Sequence, residues 1–379
     1  MATLRAVDVP AGGDVLSLLP VLERLLSGHG DAVLPVPSSP ASEKALLTTA
    51  LRVDEPIDDD VALVVSTSGT TGTPKGALLT ASALTASAAA ASARLGGPGR
   101  WLLALPAHHI AGMQVLIRSV LAGTTPVVVD VSAGFDVAML ASAVRRMGGA
   151  RRYASLVAAQ LDKVLADPEA TAALAELDAV LIGGGPLPAA IAEQATAAGI
   201  SVVRTYGMSE TAGGCVYDGV PLDGVLVRVD DGRVLLGGAT LAKGYRNPVS
   251  PNPFAEPGWF VTEDAGSVDA CGVLTVHGRL DEGISTGGLT VLPQVVEAVI
   301  ARHPRVAHCA VFGVPDSRLG ERVVAAVVAS GELSLEQLRA HVVASLDATA
   351  APRELYLVDE LPMRGIGKVD RRALAARFS

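Results

Sequence analysis

The sequence is poor in aromatic residues, in cysteine and in positive charge, and each shortage excludes a class of protein. Phe, Trp and Tyr make up 3% of the 379 residues while half are hydrophobic, so a large core must be mainly aliphatic. The three cysteines lie far apart without a CxxC pair, which excludes a disulfide scaffold and a cysteine-based zinc site. The formal net charge of −9 argues against a nucleic-acid binder, because affinity for phosphate backbones needs a basic surface.

Long apolar runs are also missing. The longest uncharged stretch, 76–93, consists largely of Ala, Ser and Thr and is too polar for a membrane span. The first ten residues show no secretion signal. We therefore expect a globular cytoplasmic protein without a membrane span, and a homodimer is the base-rate expectation for its assembly.

Short aliphatic runs alternate with longer amphipathic ones between residues 61 and 206. These patterns predict strands at 61–66, 101–105, 125–130, 178–182 and 201–205. They predict helices at 80–94, 110–121, 135–147, 157–166 and 187–198. Apolar strands that alternate with helices indicate a mostly parallel sheet covered on both faces.

The pattern changes after residue 222. Asp231-Gly232, between two strand patterns, predicts a hairpin in a β-rich stretch over 222–278. A short α+β segment follows, with a helix at 293–302 that begins with Pro and another opened by the capping-box pattern Ser334-Leu-Glu-Gln337. The expected architecture is a large N-terminal α/β domain of residues 1–279 and a small, mobile α+β C-terminal domain of residues 280–379.

The most informative segment is 66–76, Ser-Thr-Ser-Gly-Thr-Thr-Gly-Thr-Pro-Lys-Gly, between a predicted strand and a predicted helix. Its glycines can turn backbone N–H groups inward, its hydroxyls add donors and Lys75 adds a positive charge, so it can wrap a phosphate. It is not the P-loop of nucleoside triphosphatases, because Pro74-Lys75-Gly76 stands where that motif needs Gly-Lys-Ser/Thr. The alternative is a flexible polar connector.

This loop resembles the signature [ST]-x-S-G-[ST]-[ST]-G-x-P-K-G of the adenylate-forming superfamily of acyl-CoA synthetases, adenylation domains and luciferase-like enzymes. The resemblance extends over residues 61–379. Six further motifs follow in the order that the family has them, at 105–112, 183–186, 206–211, 258–264, 278–281 and 365–368.

The resemblance implies a two-step ligase that joins a carboxylate to AMP from ATP, releases pyrophosphate and then forms a thioester with coenzyme A, with Mg²⁺ as cofactor. It implies catalytic roles for Lys368, for Glu210 as the Mg²⁺ ligand and for His109 beside the acyl pocket, with Asp281 as an interdomain hinge. The residues that it implies for ATP binding are Thr67, Ser68, Gly69, Thr70, Thr71, Gly72, Lys75, Gly183, Gly184, Gly185, Tyr206, Gly207, Met208, Ser209, Thr211, Asp264 and Arg279.

These residue types suit the chemistry. Both reactants are anions, so the transition state needs cations and oriented donors more than an acid or a base. A carboxylate such as that of Glu210 is a hard oxygen ligand for Mg²⁺. Each residue also has a plainer interpretation: Lys368, Glu210 and Arg279 as surface charges, Asp264 as the end of a turn, and His109 as a half-buried polar residue.

The sequence departs from the family pattern at three places. Only about sixty residues precede the first expected core strand, and Ser209 replaces the commoner Thr. Thr290 and Val295 stand where the family's usual Gly-Gly-x-Lys-Val-x-Pro-x-Glu-Val-Glu has Lys and Glu. Any contact that those two positions make in the thioester step is therefore left open.

The short N-terminal part and the segment 109–118 resemble one group within this family, the short o-succinylbenzoate–CoA ligases of menaquinone biosynthesis. Members of this group commonly carry an Arg nine residues after the His. Activation of one carboxylate of that acid leaves a second, which Arg118 or Arg204 could bind. The alternatives are another aryl- or acyl-CoA synthetase, an adenylation enzyme that loads a carrier protein, and a catalytically silent nucleotide-binding protein.

Overall fold

A computed structural model describes residues 2–67, 73–364 and 368–379. Contacts within the chain divide it into two units. The first comprises Met1–Gly184, Gln194–Arg228 and Leu235–Val261, and the second comprises Gly185–Glu193, Val229–Val234 and Thr262–Ser379. The expected division after residue 279 and the hinge at Asp281 both fall inside the second unit and stay predictions.

The strands of the described residues are β1 (Ala2–Val9), β2 (Ala32–Pro37), β3 (Pro56–Ile57), β4 (Val61–Val65), β5 (Ala77–Thr80), β6 (Arg100–Leu103), β7 (Val127–Val128), β8 (Arg152–Val157), β9 (Ala179–Gly183), β10 (Val202–Met208), β11 (Gly213–Tyr217), β12 (Val220–Pro221), β13 (Val225–Asp230), β14 (Arg233–Gly238), β15 (Trp259–Val268), β16 (Leu274–Arg279), β17 (Ile284–Thr286), β18 (Leu289–Val291), β19 (Val306–Asp316), β20 (Gly320–Ala329), β21 (Glu354–Leu357), β22 (Met363–Arg364) and β23 (Lys368–Val369). The α-helices are α1 (Leu19–Leu26), α2 (Ala41–Ala50), α3 (Ala81–Arg94), α4 (Ile110–Leu121), α5 (Val137–Arg145), α6 (Ala158–Leu165), α7 (Pro168–Ala175), α8 (Ala189–Ala197), α9 (Pro293–Ile300), α10 (Leu335–Val343) and α11 (Arg371–Phe378).

The front of the chain belongs to the core of the first unit. A five-stranded sheet has the order β3-β1-β2-β4-β5, and β1 pairs in parallel with β2, where Leu4 lies opposite Ala32. Every residue of β2 is buried. The expectation that the first core strand lies at residue 61 is therefore wrong. Strand β2 carries Pro35 and Pro37, and proline weakens a strand pattern in a sequence.

The second sheet of this unit has the order β12-β11-β10-β9-β8-β6-β7. Its neighbours from β7 through β6, β8 and β9 to β10 are parallel, and β11 is antiparallel to β10. The predicted helix 110–121 coincides with α4, and Thr80 caps α3 as expected, since its Oγ1 accepts a hydrogen bond from Ala83 N at 3.1 Å. Strand β8 and helix α7 are absent from the predicted elements.

The β-rich stretch forms a four-stranded sheet of order β13-β14-β15-β16. Asp231 and Gly232 both have positive φ angles, 48° and 79°, which are the values that a type I′ hairpin turn requires at its two central positions. The predicted hairpin is thus confirmed.

The second unit contains a five-stranded sheet in which β18, β17, β20 and β19 follow one another and β21 pairs with β20. Helices α9 and α10 pack on an aliphatic cluster that includes Val296, Ile300 and Leu338, and Leu374 of α11 belongs to a separate cluster with Phe312. Pro293 at the start of α9 and the capping box at Ser334 are present as predicted. A large α/β part followed by a smaller α+β part confirms the expected fold class, and no described helix is both long and apolar enough to cross a bilayer.

Candidate active site

Two of the expected nucleotide segments follow neighbouring parallel strands. Strand β9 ends at Gly183 and β10 ends at Met208, and the two strands pair with Val202 opposite Val180. The carboxyl ends of parallel strands lie at one edge of a sheet, which is the edge where α/β folds bind ligands. A Cβ at Gly183 would lie 2.4 Å from Thr205 Oγ1, so the close approach of these strands requires glycine. Gly184 extends this segment in the first unit, and Gly185 belongs to the second unit.

The segment 206–211 is a tight turn stabilised from within. Ser209–Thr211 is a short 3₁₀ helix, and Tyr206 and Met208 are half-buried before it. Thr211 Oγ1 accepts a hydrogen bond from Met208 N at 3.0 Å and lies 2.8 Å from Gly213 O. A Cβ at Gly207 would lie 2.2 Å from the same carbonyl oxygen. Thr211 is expected at the nucleotide, and its hydroxyl therefore stabilises the turn in which the other expected residues of this segment lie.

Glu210 lies in this turn with 7% of its surface exposed, and the Tyr245 hydroxyl donates a hydrogen bond to its Oε1 at 2.5 Å. A buried, oriented carboxylate is a fitting donor for Mg²⁺. Among the described residues no group of three or more His, Cys, Asp and Glu side chains could hold a metal ion. A Mg²⁺ ion at Glu210 would therefore not find three such ligands within the described ranges, and this ion usually keeps several waters and binds phosphate oxygens.

The glycine-rich loop is described at both of its ends. Thr67 Oγ1 is buried and has no hydrogen-bond partner among the described residues. After the loop, Lys75 Nζ lies 5.3 Å from the centre of the Tyr245 ring. Gly76 has a φ of +72°, and a Cβ there would lie 2.7 Å from Leu51 Cδ2, so this position requires glycine. Ser68, Gly69, Thr70, Thr71 and Gly72 lie outside the described residues.

In the second unit, Asp264 and Arg279 lie opposite each other on β15 and β16. Asp264 is buried, and its Oδ1 lies 3.5 Å from Arg279 Nη1. Arg279 also makes two 2.8 Å hydrogen bonds to the carboxylate of Asp281. Burial opposes the charge of Arg279, but the hydrogen bonds and charge of Asp281 outweigh it, so the pKa of the guanidinium is raised. The structure thus joins two of the residues expected at ATP and the expected hinge residue in one charged cluster.

Of the expected acyl-site residues, His109 is the N-cap residue of α4 and Arg118 lies within this helix. His109 is half-buried at its N-cap position, where its carbonyl oxygen accepts a hydrogen bond from Met113 N at 2.9 Å. The rings of His108 and His109 lie 4.2 Å apart. Burial lowers the pKa of His108, which favours its neutral form at pH 7.

Arg118 is buried, with 7% of its surface exposed, which is unusual for a charged side chain. Its Nη2 donates to the Tyr217 hydroxyl at 3.3 Å, its guanidinium lies 4.9 Å from the centre of the Trp101 ring, and its buried Nε has no partner. No carboxylate pairs with it in the part of the chain that is described. The side chain of Arg204 is instead 66% exposed, and its Nε lies 3.5 Å from Asp218.

Lys368 lies in a small hairpin near the C-terminus. Strand β23 pairs with β22, where Lys368 lies opposite Arg364, and the lysine is exposed. The rest of its motif, 365–367, lies outside the described residues.

Tyr245 was missed by the sequence analysis, although it contacts both Glu210 and Lys75. The signal that could have found it is its isolation: in a chain with 3% aromatic residues, it is the single aromatic residue between Tyr217 and Phe254. It lies in the polar segment Ala-Lys-Gly-Tyr-Arg-Asn at 242–247.

Comparisons with known proteins agree with this geometry. A model of the family "AMP-binding enzyme" matches residues 17–245, and a model of the AMP-binding enzyme C-terminal domain matches residues 295–368. A Mycobacterium tuberculosis (strain CDC 1551 / Oshkosh) protein named probable 2-succinylbenzoate–CoA ligase is 65% identical over 382 residues, covering 99% of each chain. A 2-succinylbenzoate–CoA ligase of Geobacillus sp. (strain WCH70) is 33% identical over 83% of this chain and 69% of its own length. A structure of o-succinylbenzoate CoA synthetase (MenE) from Bacillus subtilis with the acyl-adenylate intermediate OSB-AMP is 26% identical, with a TM-score of 0.78 over 98% of this chain and 88% of that one.

Proposed function

The chain belongs to the AMP-binding enzyme family, and from this premise we propose that it is an AMP-forming ligase that converts o-succinylbenzoate to o-succinylbenzoyl-CoA in the cytoplasm. The 65% identity to the Mycobacterium tuberculosis relative over 99% of both chains supports this substrate. Within the structure, the proposal rests on Arg118, whose guanidinium is buried and has no carboxylate partner among the described residues.

In the first step, a carboxylate oxygen of the acid attacks the α-phosphorus of ATP. The bond from that phosphorus to the bridging oxygen breaks, and pyrophosphate leaves with the electron pair. Mg²⁺ bound to ATP supplies positive charge that stabilises the phosphate oxygens. Glu210 would hold this ion, while Thr67 and Lys75 would donate a hydrogen bond and a positive charge to the phosphates.

The ribose of ATP would be bound by an ion pair and the adenine by uncharged groups. Asp264 and Arg279 are suited to the ribose, because a carboxylate accepts hydrogen bonds from vicinal hydroxyls and Arg279 orients that carboxylate. Tyr206 would stack on the adenine, beside the backbone of Gly183 and Gly184. Lys368 would add its charge to the reacting phosphate during adenylation only.

The acid would be recognised through its second carboxylate. A buried guanidinium without a counter-ion is costly, and a bound carboxylate removes that cost while forming charge-assisted hydrogen bonds. Arg118 meets this condition and Arg204 does not, since Arg204 is exposed and already lies beside Asp218. The geometry therefore favours Arg118 for this role, with His109 at the start of the same helix.

In the second step, the thiolate of coenzyme A attacks the acyl carbon, and AMP leaves. We keep Asp281 as the proposed hinge for this step. Thr290, exposed on β18, and Val295, on α9, offer no charge to coenzyme A, so any anchoring of its phosphates falls to other residues.

ATP–pyrophosphate exchange tests the proposal. The acids are o-succinylbenzoate and two analogues, each of which lacks one of its carboxylates. Wild type should exchange with o-succinylbenzoate far faster than with either analogue. R118Q should lose about a hundredfold in kcat/KM for o-succinylbenzoate, and the matched control R204Q should lose less than about twofold. Exchange with fatty or simple aryl acids alone would refute the substrate, and ATP binding without any exchange would favour the silent nucleotide-binding alternative.

A further inference from the structure

The segment 242–247 connects the two parts of the ATP site that lie in the first unit. At its start, Ala242 N donates a hydrogen bond to Glu210 O at 2.8 Å. It then runs alongside the strand that leaves the glycine-rich loop: Lys243 N bonds to Leu78 O at 2.9 Å, and Leu78 N to Gly244 O at 3.0 Å. One short segment thus holds the backbone at Glu210 and at β5.

The same segment also holds the end of the glycine-rich loop itself. Arg246 N donates to Gly76 O at 2.7 Å, and Asn247 N donates to Lys75 O at 3.0 Å. The amide of Asn247 adds a hydrogen bond to Pro74 O at 2.8 Å. The backbone around Lys75 is therefore fixed by the segment 242–247.

Tyr245, in the middle of the segment, contacts the side chains of the same two regions, Glu210 and the end of the loop. Its hydroxyl donates to Glu210 Oε1 at 2.5 Å, and Lys75 Nζ lies 5.3 Å from the centre of its ring. Phe254 packs edge-on against this ring at 5.4 Å, and Phe260 packs against Phe254 at 4.8 Å. These aromatic contacts restrict the position of the Tyr245 ring.

We propose that Tyr245 is a positioning residue that orients the Glu210 carboxylate for Mg²⁺ and couples it to Lys75 at the phosphates of ATP. This inference rests on the proposed function. A carboxylate can rotate about its terminal torsion, which is broad. A hydrogen bond to Oε1 restricts that rotation and so sets the direction of the remaining lone pairs before the ion binds.

The coupling to Lys75 follows from the ring. An ammonium group within about 6 Å of an aromatic ring centre is attracted to the ring face. Tyr245 therefore contacts both the ammonium of Lys75 and the carboxylate of Glu210. Both groups are proposed to bind the Mg²⁺ complex of ATP. A purely structural tyrosine would need neither contact.

The test is Y245F, which removes the hydroxyl and keeps the ring. The matched control is Y356F, because Tyr356 donates an equivalent hydrogen bond to Glu354 Oε2 at 2.7 Å in the other unit. We expect Y245F to need about ten times more free Mg²⁺ for half-maximal ATP–pyrophosphate exchange, which is the usual effect of removing a partner of a metal ligand. Y356F should match wild type.

An equilibrium measurement supplies a readout that does not depend on turnover. The Tm of each variant is measured with ATP in Mg²⁺ and with ATP in EDTA. For wild type and Y356F, the Tm with ATP should be higher in Mg²⁺ than in EDTA. For Y245F, most of this difference in Tm should be lost at low Mg²⁺. In an E210Q background, Y245F should have no further effect on the Mg²⁺ requirement, because the two residues act through one contact.

The outcomes are distinguishable. Two results would overturn this inference and leave the proposed function intact. One is that Y245F changes neither the Mg²⁺ requirement nor the Tm difference between Mg²⁺ and EDTA. The other is that Y245F raises the Mg²⁺ requirement as much in the E210Q background as in wild type. A lower Tm of Y245F without ligand, with unchanged Mg²⁺ dependence, would assign Tyr245 a structural role and also overturn it. If wild type showed no response to ATP at all, the proposed function would fail and this inference with it.

Discussion

Glu210 and Lys368 are both proposed to act on the phosphates of ATP, yet the chain supports them in opposite ways. Glu210 is buried, its backbone oxygen accepts a hydrogen bond from Ala242 N, and its carboxylate accepts one from Tyr245. Lys368 is exposed on a two-residue strand that pairs with another two-residue strand. Within the described ranges, Glu210 is held from several sides, whereas Lys368 is held by the pairing of two short strands.

The difference matches the two tasks. A metal ligand acts best when its orientation is set before the ion arrives, because no reorganisation is then needed during the reaction. A residue that serves one of two successive steps must instead be able to leave after the first. Rigid support of Glu210 and light support of Lys368 are the arrangements that a two-step ligase requires.

The largest expected effect comes from removing the lightly held residue. K368A should lower ATP–pyrophosphate exchange by about 10²–10³, because a positive charge that stabilises the transition state is lost. The same variant should form the thioester from preformed acyl-adenylate and coenzyme A at a nearly normal rate. The matched control is K163A, which removes another exposed lysine and should change neither rate. Equal loss of both steps in K368A would contradict the division of tasks.

The chain becomes firmly held again just after this lysine, at Arg371. Its guanidinium bonds to Glu282 at 2.7 Å and to both carboxylate oxygens of Glu297 at 2.7 and 2.9 Å, and its Nε bonds to Val311 O. R371A should lower the free energy of unfolding by about 3 kcal/mol, because it leaves the buried Glu297 carboxylate with the Val311 N–H as a hydrogen-bond donor but without its cation. The control R377A, at the exposed end of α11, should change it by less than about 0.5 kcal/mol. Urea unfolding followed by circular dichroism measures both.

The pH dependence of R371A sharpens this expectation. Burial raises the pKa of Glu297, and Arg371 opposes that rise in the wild type. Without Arg371, the folded-state pKa rises further above the unfolded value. A group of this kind costs stability as pH rises above its unfolded pKa. The deficit of R371A relative to wild type should therefore be larger at pH 8 than at pH 5, and a deficit that is independent of pH would show that the charge of Glu297 is not its cause.

The same contrast explains which features could be predicted from the sequence. The bounds of α4, the hairpin at Asp231-Gly232 and the capping box at Ser334 depend on residues a few positions apart, and local patterns predict them. Tyr245 and Glu210 lie 35 residues apart, and Arg371 and Glu282 lie 89 apart. No local pattern predicts such pairs. The family resemblance pointed to the residues expected at ATP, but the residues that hold them in place became visible only in the fold.

The smallest expected effect concerns the rigidity of the Glu210 turn in the first unit, which Cys215 reports, with Cys271 and Cys309 of the second unit as references. Cys215 follows the Glu210 turn on β11 and is fully buried, Cys309 is half-buried, and Cys271 is exposed. Burial raises the pKa of Cys215 and of Cys309 to about 12, so at pH 8 only about 10⁻⁴ of each is the reactive thiolate. Native protein treated with iodoacetamide should therefore take up one equivalent of label, C271S should take up none, and unfolded wild type should take up three. Labelling of Cys215 at a rate comparable to that of Cys271 would mean that the turn carrying Glu210 opens readily, and the contrast between a rigid Glu210 and a lightly held Lys368 would then be lost.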